Sequence, residues 1–190
     1  MKQKTDISTL SLAIMGLIAQ QRQSGYDIRK AFATTPMGHF SSSPGAIYPA
    51  LKRLEKDGWI RGKADPKATG RPRKAYELTP PGRRTLKRHL GKPVTRDDVI
   101  WRLDDLLLRF ALMDGIAGRA ATLRFLHSFA VEIERYVEHL RGYLDSARAL
   151  MPAAGRLAME HGIESYAMTA AWARRAVEEL LNQPAPGQRT

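Results

Sequence analysis

Between Leu123 and Met151 the apolar residues fall at Leu123, Leu126, Ala130, Ile133, Val137, Leu140, Leu144, Ala147 and Met151. The steps alternate three and four without a break, which places all nine on one stripe of a continuous α-helix. The spacing predicts a helix over 119–150, stopped by Pro152. Phe125, Phe129, Tyr136 and Tyr143 form a second stripe beside the first. A helix with two apolar stripes is gripped from more than one direction. The last periodic stretch, 163–181, predicts a shorter helix. The seam therefore has no obvious partner of its own length within the chain and reads as a contact with a second copy. A seam inside one intramolecular bundle is the alternative.

Charge divides the chain. Residues 1–96 hold 20 Lys+Arg and 6 Asp+Glu, a net of +14, while residues 97–190 hold 11 and 13, a net of −2. Every lysine lies in the first part. Such asymmetry points to a polyanion-binding part, nucleic acid foremost, and a second part with another task. The predicted regions are 1–92 and 93–182, with a Pro/Gly-rich, flexible tail at 183–190. Cysteine is absent, which excludes disulfides, thiolate metal sites and cysteine nucleophiles. It also fits a reducing cytoplasm, the expected location. No apolar run reaches the roughly 18 residues of a membrane span. The run 10–19 after Lys2 and Lys4 lacks a secretory cleavage context and reads as a buried helix.

In the basic part, Ser8 can cap a helix carrying Leu10, Ile14, Leu17 and Ile18 on one side. Ser24 and Asp27 form a capping box for a second helix, to about Ala33. Thr35 to Gly38 end it. Ser41, Ser42 and Ser43 lead to Pro44, suited to the first turn of a third helix over 44–57, with Gly58 as its stop. Two short strands, 59–64 and 73–78, flank a loop at 65–72. This hairpin carries Lys63, Lys67, Arg71, Arg73 and Lys74. Thr79 and Pro80 start a fourth helix, ending near Leu90. In the second part, Asp97 and Asp98 mark a helix start. Val99, Leu103, Leu106, Leu107 and Phe110 form its apolar side, and Gly115 and Gly118 break it.

Three helices, a basic hairpin and a following helix compose a winged helix-turn-helix. Ile47, Leu51 and Leu54 share one face of the third helix and belong to the core. Tyr48, Lys52 and Lys56 share another face at i, i+4 and i+8, left for solvent or phosphate. Ser41, Ser42, Ser43 and Gly45 are small, so the backbone at the helix start can approach a groove closely. Free amides and the helix dipole there favour phosphate. Lys63, Arg71, Arg73 and Lys74 lie where a wing reaches flanking phosphates or the minor groove.

The run Ser43-Pro44-Gly45-Ala46-Ile47-Tyr48-Pro49-Ala50-Leu51-Lys52-Arg53-Leu54-Glu55-Lys56-Asp57-Gly58-Trp59-Ile60 resembles the recognition-helix signature of the PadR family of bacterial transcriptional regulators. Gly25 to Ile28 resembles that family's second-helix start, and Gly70 to Gly82 its wing and exit. The resemblance covers about residues 8–90. Gln21 to Ser24 departs from the family's apolar residue and Gly-Pro before Gly-Tyr, which affects a turn. The resemblance implies a mainly α protein: a winged helix-turn-helix followed by a helical dimerisation domain. It implies Tyr48 and Lys52 on phosphates and the amino end of the third helix on bases. Its implied partners are double-stranded operator DNA, a second copy of the chain and, in some members, a phenolic-acid effector. Trp101, Arg102, Arg109, Tyr136, Tyr143, Tyr166 and Trp172 could line an effector pocket or serve ordinary packing. A winged-helix protein-interaction module without DNA binding is the alternative reading.

Catalytic signals are weak. The five histidines show no metal spacing, and no G-x-S-x-G or phosphate loop occurs. Asp104-Asp105 and Glu178-Glu179 are adjacent, and adjacent residues point apart on a helix. The expectation is a non-enzyme with no cofactor and no metal.

Overall fold

The computed structural model describes residues 7–40, 44–64, 74–113 and 115–183. It divides into two compact units, Met1–Leu90 and Gly91–Thr190. The fold is mainly α, a winged helix followed by a helical unit.

In the first unit, helix α1 (Thr9–Gln20) begins at Ser8, whose hydroxyl accepts from the Ser11 amide. A two-residue strand β1 (Gln23–Ser24) leads into helix α2 (Gly25–Thr34). The Ser24–Asp27 capping box expected there is formed in both directions. Helix α3 (Ile47–Lys56) is followed by Gly58 at φ 72°, a left-handed turn that favours glycine. Strands β2 (Ile60–Ala64) and β3 (Lys74–Leu78) form the antiparallel stem of the wing, and helix α4 (Pro80–Leu90) follows. Thr79 caps it through its hydroxyl, which accepts from the Gly82 amide at 3.0 Å.

Four features of this unit differ from the sequence expectation. Helix α1 is buried from Ser11 through Gly16, not on one side only, because α3, α4 and β3 all pack on it. Pro44–Ala46 is a 3₁₀ turn, so α3 itself starts at Ile47. A further 3₁₀ segment, Pro36–Phe40, occupies the stretch read as a simple stop. Strand β1 adds a third member to the sheet, in the order β1-β3-β2. Two residues are too short to show a period, which is why β1 has no sequence signal.

In the second unit, Thr95 and Asp98 form another capping box at the start of helix α5 (Arg96–Trp101). Helix α6 (Leu103–Ala111) follows at once. The single helix expected here is broken at Arg102, at φ −143° and ψ 37°. The break resets the helical phase. Leu108 and Arg109 are buried, whereas Leu107, expected in the core, is exposed. Asp104 and Asp105 fall in the first turn of α6, where their charge suits the helix dipole.

Helix α7 (Arg119–Ala147) ends in a 3₁₀ turn, Arg148–Leu150. Helix α8 spans Ala153–Asn182, starting ten residues before the expected Ile163. Gly155 and Gly162 weaken that stretch by roughly 1 kcal/mol each, and packing along α7 overrides them. At 30 residues α8 matches the 29 of α7 and packs along it. The seam residues Leu126, Ala130, Ile133, Val137 and Leu144 are thus buried within one chain. The inference of a second copy from an unanswered seam fails, because the chain supplies its own partner. The hairpin is closed by Arg119, which donates to the carbonyls of Leu180, Leu181 and Gln183 at the carboxyl end of α8. Glu134 and Arg174 pair across the two helices at 2.6 Å. The tail beyond Gln183 lies outside the described residues. Among the described residues, no helix is long and apolar enough to cross a membrane.

Gly82 fixes the join between α4 and the wing. A Cβ there would lie 1.9 Å from the Trp59 carbonyl oxygen, a backbone atom that cannot swing away. Gly82→Ala is expected to destabilise the protein by about 1–3 kcal/mol in urea unfolding. An unchanged midpoint and slope would show that the join is not tight.

Candidate nucleic-acid interface

Helix α3 is amphipathic. Ile47, Ala50, Leu51 and Leu54 are buried, while Tyr48, Lys52, Arg53 and Lys56 are exposed. Among the described residues no carboxylate pairs with Lys52, Arg53 or Lys56. The buried face fixes the helix, so the basic face is held outward. Tyr48 is 46% exposed, and its ring lies against Gly25, where a Cβ would come within 2.9 Å of Cε1. The ring is therefore oriented by α2, and its outer half is free. Gly45 is exposed in the 3₁₀ turn just before α3, and Ala46 provides no side-chain cap.

The wing stem is organised by two glutamates that sequence reasoning missed. Glu55, on α3, accepts from the Gly62 amide at 3.1 Å and from Lys74 Nζ at 2.7–2.8 Å. It therefore ties α3 to both stem strands. The Lys74 hydrogen bond holds the Glu55 carboxyl below its usual range and raises the Lys74 ammonium. Glu77 lies on the central strand opposite Arg61. It pairs with Arg61, with Lys63 at 3.0 Å and with Arg22 at 2.5 Å. Its hydrogen bonds from Lys63 and Arg61 lower the Glu77 carboxyl to about 2. A cross-strand ladder of this kind depends on register, which the sequence does not display.

Lys63 and Lys74, both expected at the interface, are thus held by carboxylates in the free protein. Lys52, Lys56, Tyr48 and Gly45 are exposed on or beside one helix face. Ser41, Ser42, Ser43, Lys67, Arg71 and Arg73 lie outside the described residues.

A sequence profile for the transcriptional regulator PadR-like family matches residues 14–88. The matched residues lie within the N-terminal unit. The match runs from α1 nearly to the end of α4 and contains α3 and the wing. The negative transcriptional regulator PadR of Bacillus subtilis is 34% identical over 93 residues, 47% of this chain and 51% of that protein. The match thus spans about half the length of that curated relative. Among solved structures, Bacillus subtilis PadR in complex with operator DNA is 23% identical, covering 90% of this chain and 98% of that one, with a TM-score of 0.39. The complex of the same protein with p-coumaric acid is 21% identical, covering 95% and 99%, with a TM-score of 0.39.

The helical unit does not gather the seven residues considered for an effector pocket. Trp172 packs edge-on against Phe110 and Phe129, whereas Tyr136 packs edge-on against Tyr166. Arg109 is buried 4.9 Å from the Phe125 ring centroid and donates to the Lys92 carbonyl. Trp101 is 79% exposed. Tyr143 lines an open groove with Arg135, His139 and Ser146. Among the described residues no group of three or more His, Asp or Glu is placed to hold a metal.

The Glu77 ladder has a pH signature. A carboxyl with a folded pKa below its unfolded value stabilises the fold above the unfolded value, near 4.5. That contribution disappears as pH falls to about 2. Wild type should therefore exceed Glu77→Gln in stability at pH 6 and converge with it toward pH 2. A gap that stays constant across this window would exclude Glu77 as the titrating group.

Proposed function

We propose that this chain is a cytoplasmic, sequence-specific DNA-binding regulator that acts as a homodimer and represses transcription from a palindromic operator. The exposed Tyr48–Lys52–Lys56 face of α3, without an ion pair among the described residues and backed by a fully buried opposite face, carries this reading. Residues 1–92 would hold the duplex and residues 93–182 the second copy. Gly45 permits close approach at the amino end of α3, with Ser41, Ser42 and Ser43 beside it as base readers. Tyr48, Lys52 and Lys56 serve as phosphate contacts. Arg71 and Arg73 extend the contact at the wing. Lys63 and Lys74 join it by exchanging a glutamate for a phosphate. No catalytic role is assigned; the family whose profile matches residues 14–88 is one of transcriptional regulators.

Lys52→Ala should weaken binding evenly across sequences and lower the salt slope by about one unit. Lys63→Ala, whose ammonium starts in an ion pair, should lower it by less. Gly45→Val should lower affinity for the selected operator far more than for random DNA. Equal losses on both duplexes would remove Gly45 from the reading surface.

The dimer reading is supported by Leu157 and Met168, 57% and 67% exposed. They lie eleven residues, or three turns, apart on α8, away from the face that buries Ile163, Ala170 and Ala173. A dimer would set two recognition helices about 34 Å apart, one turn of duplex. Leu157→Glu with Met168→Glu should shift the mass in light scattering from dimer to monomer. A monomeric wild type would rule the dimer out. Release by a small aromatic acid completes the reading. Titration calorimetry with p-coumarate, followed by operator release, tests it.

A further inference from the structure

Helix α4 carries a second basic surface. Arg83, Arg84, Lys87 and Arg88 are all exposed, on the side away from the buried Gly82, Thr85, Leu86 and Leu90. The helix contains no acidic residue. Its cations stand at i,i+4 (Arg83/Lys87, Arg84/Arg88) and i,i+3 (Arg84/Lys87), about 5–6 Å apart, where like charges repel. Arg83 and Arg84 also sit near the amino end, where the helix dipole disfavours cations.

Among the described residues of the unit, no carboxylate relieves this repulsion. Its described carboxylates are Asp27, Glu55, Asp57 and Glu77. Asp27 closes the α2 capping box, Glu55 holds Lys74, and Glu77 holds Arg22, Arg61 and Lys63. Among the described residues none pairs with the four cations of α4. Glutamates thus partly offset the positive charge of the wing stem, whereas the cations of α3 and α4 have no carboxylate partner among the described residues. The two helices pack on α1 through their own buried faces, so their basic faces are separate surfaces. Three of the four α4 cations are arginines, which bind phosphate bidentately.

We propose that the α4 stripe is a second binding surface for the phosphate backbone of duplex DNA, separate from the surface that reads sequence. The proposal rests on the DNA-binding reading above. The phosphates belong either to the flanks of the duplex held by α3 or to a second duplex segment. Either way the stripe adds affinity and salt dependence but no base preference.

The test measures binding of the full chain to mixed-sequence duplexes of about 20 and about 60 base pairs across a salt series. The proteins are wild type, Arg84→Ala/Lys87→Ala, Lys52→Ala/Lys56→Ala and the charge-preserving Arg84→Lys/Lys87→Arg. If the stripe holds flanking DNA, Arg84→Ala/Lys87→Ala lowers the salt slope by about two units on the longer duplex, and the charge-preserving pair does not. If it holds a second segment, the alanine pair abolishes capture of a labelled duplex on an immobilised one. Wild-type slope and capture in the alanine pair overturn the proposal. Loss of binding to polyglutamate with unchanged DNA binding also overturns it and makes the stripe a protein-docking surface. A loss with Lys52→Ala/Lys56→Ala alone leaves the DNA reading standing without the stripe. A wild type that binds neither duplex overturns the DNA reading itself.

Discussion

The first unit depends on the burial of α1. From Ser11 to Gly16 every residue is buried, and Ala13, Ile14 and Met15 are fully enclosed. Each fully buried side chain of the size of Ile or Met contributes roughly 1.5–3 kcal/mol relative to exposure. Helices α3 and α4 and strand β3 pack around this one post. Because α3 and α4 each turn their apolar residues to the core, their cations project elsewhere. The positive surfaces are therefore a consequence of core packing and not an arrangement of charges by themselves.

Electrostatics then divides those cations into two kinds. Glu55 and Glu77 engage Lys74, Lys63, Arg61 and Arg22 in ion pairs at the wing stem. Exposed ion pairs of this type add little stability singly. Their shared effect here is geometric. Glu55 links α3 to both stem strands, and Glu77 links the central strand to its neighbours. The wing is thereby held in register with α3, while Lys52 and Lys56 remain exposed on its outer face.

Much of the first unit was legible because local signals decide it. Ser8, the Ser24–Asp27 box, Gly58 and Thr79 act within one turn of the chain, and all appear where the sequence places them. The inward and outward faces of α3 follow from helical period alone. Signals that depend on distant residues were not legible. The pairing of β1 with β3 and the meeting of Glu77 with Arg22 join positions more than fifty residues apart. The phase of α6 depends on a backbone break at Arg102 that no glycine or proline announces.

The seam of α7 shows the boundary most clearly. The three-four spacing by itself determined a long helix with a stripe that must be covered, since apolar surface repeated every turn cannot stay in water. It could not determine what covers the stripe, because a helix from the same chain and one from another copy present the same chemistry. The tertiary structure decided that in favour of α8, which runs ten residues further toward its amino end than local propensity indicates. Burial along α7 outweighs the entropy cost of two glycines. The same division holds for charge. The sequence determined that the first 96 residues carry a net of +14. Only the folded chain, by bringing two glutamates against four particular cations, decided which positive side chains stay open.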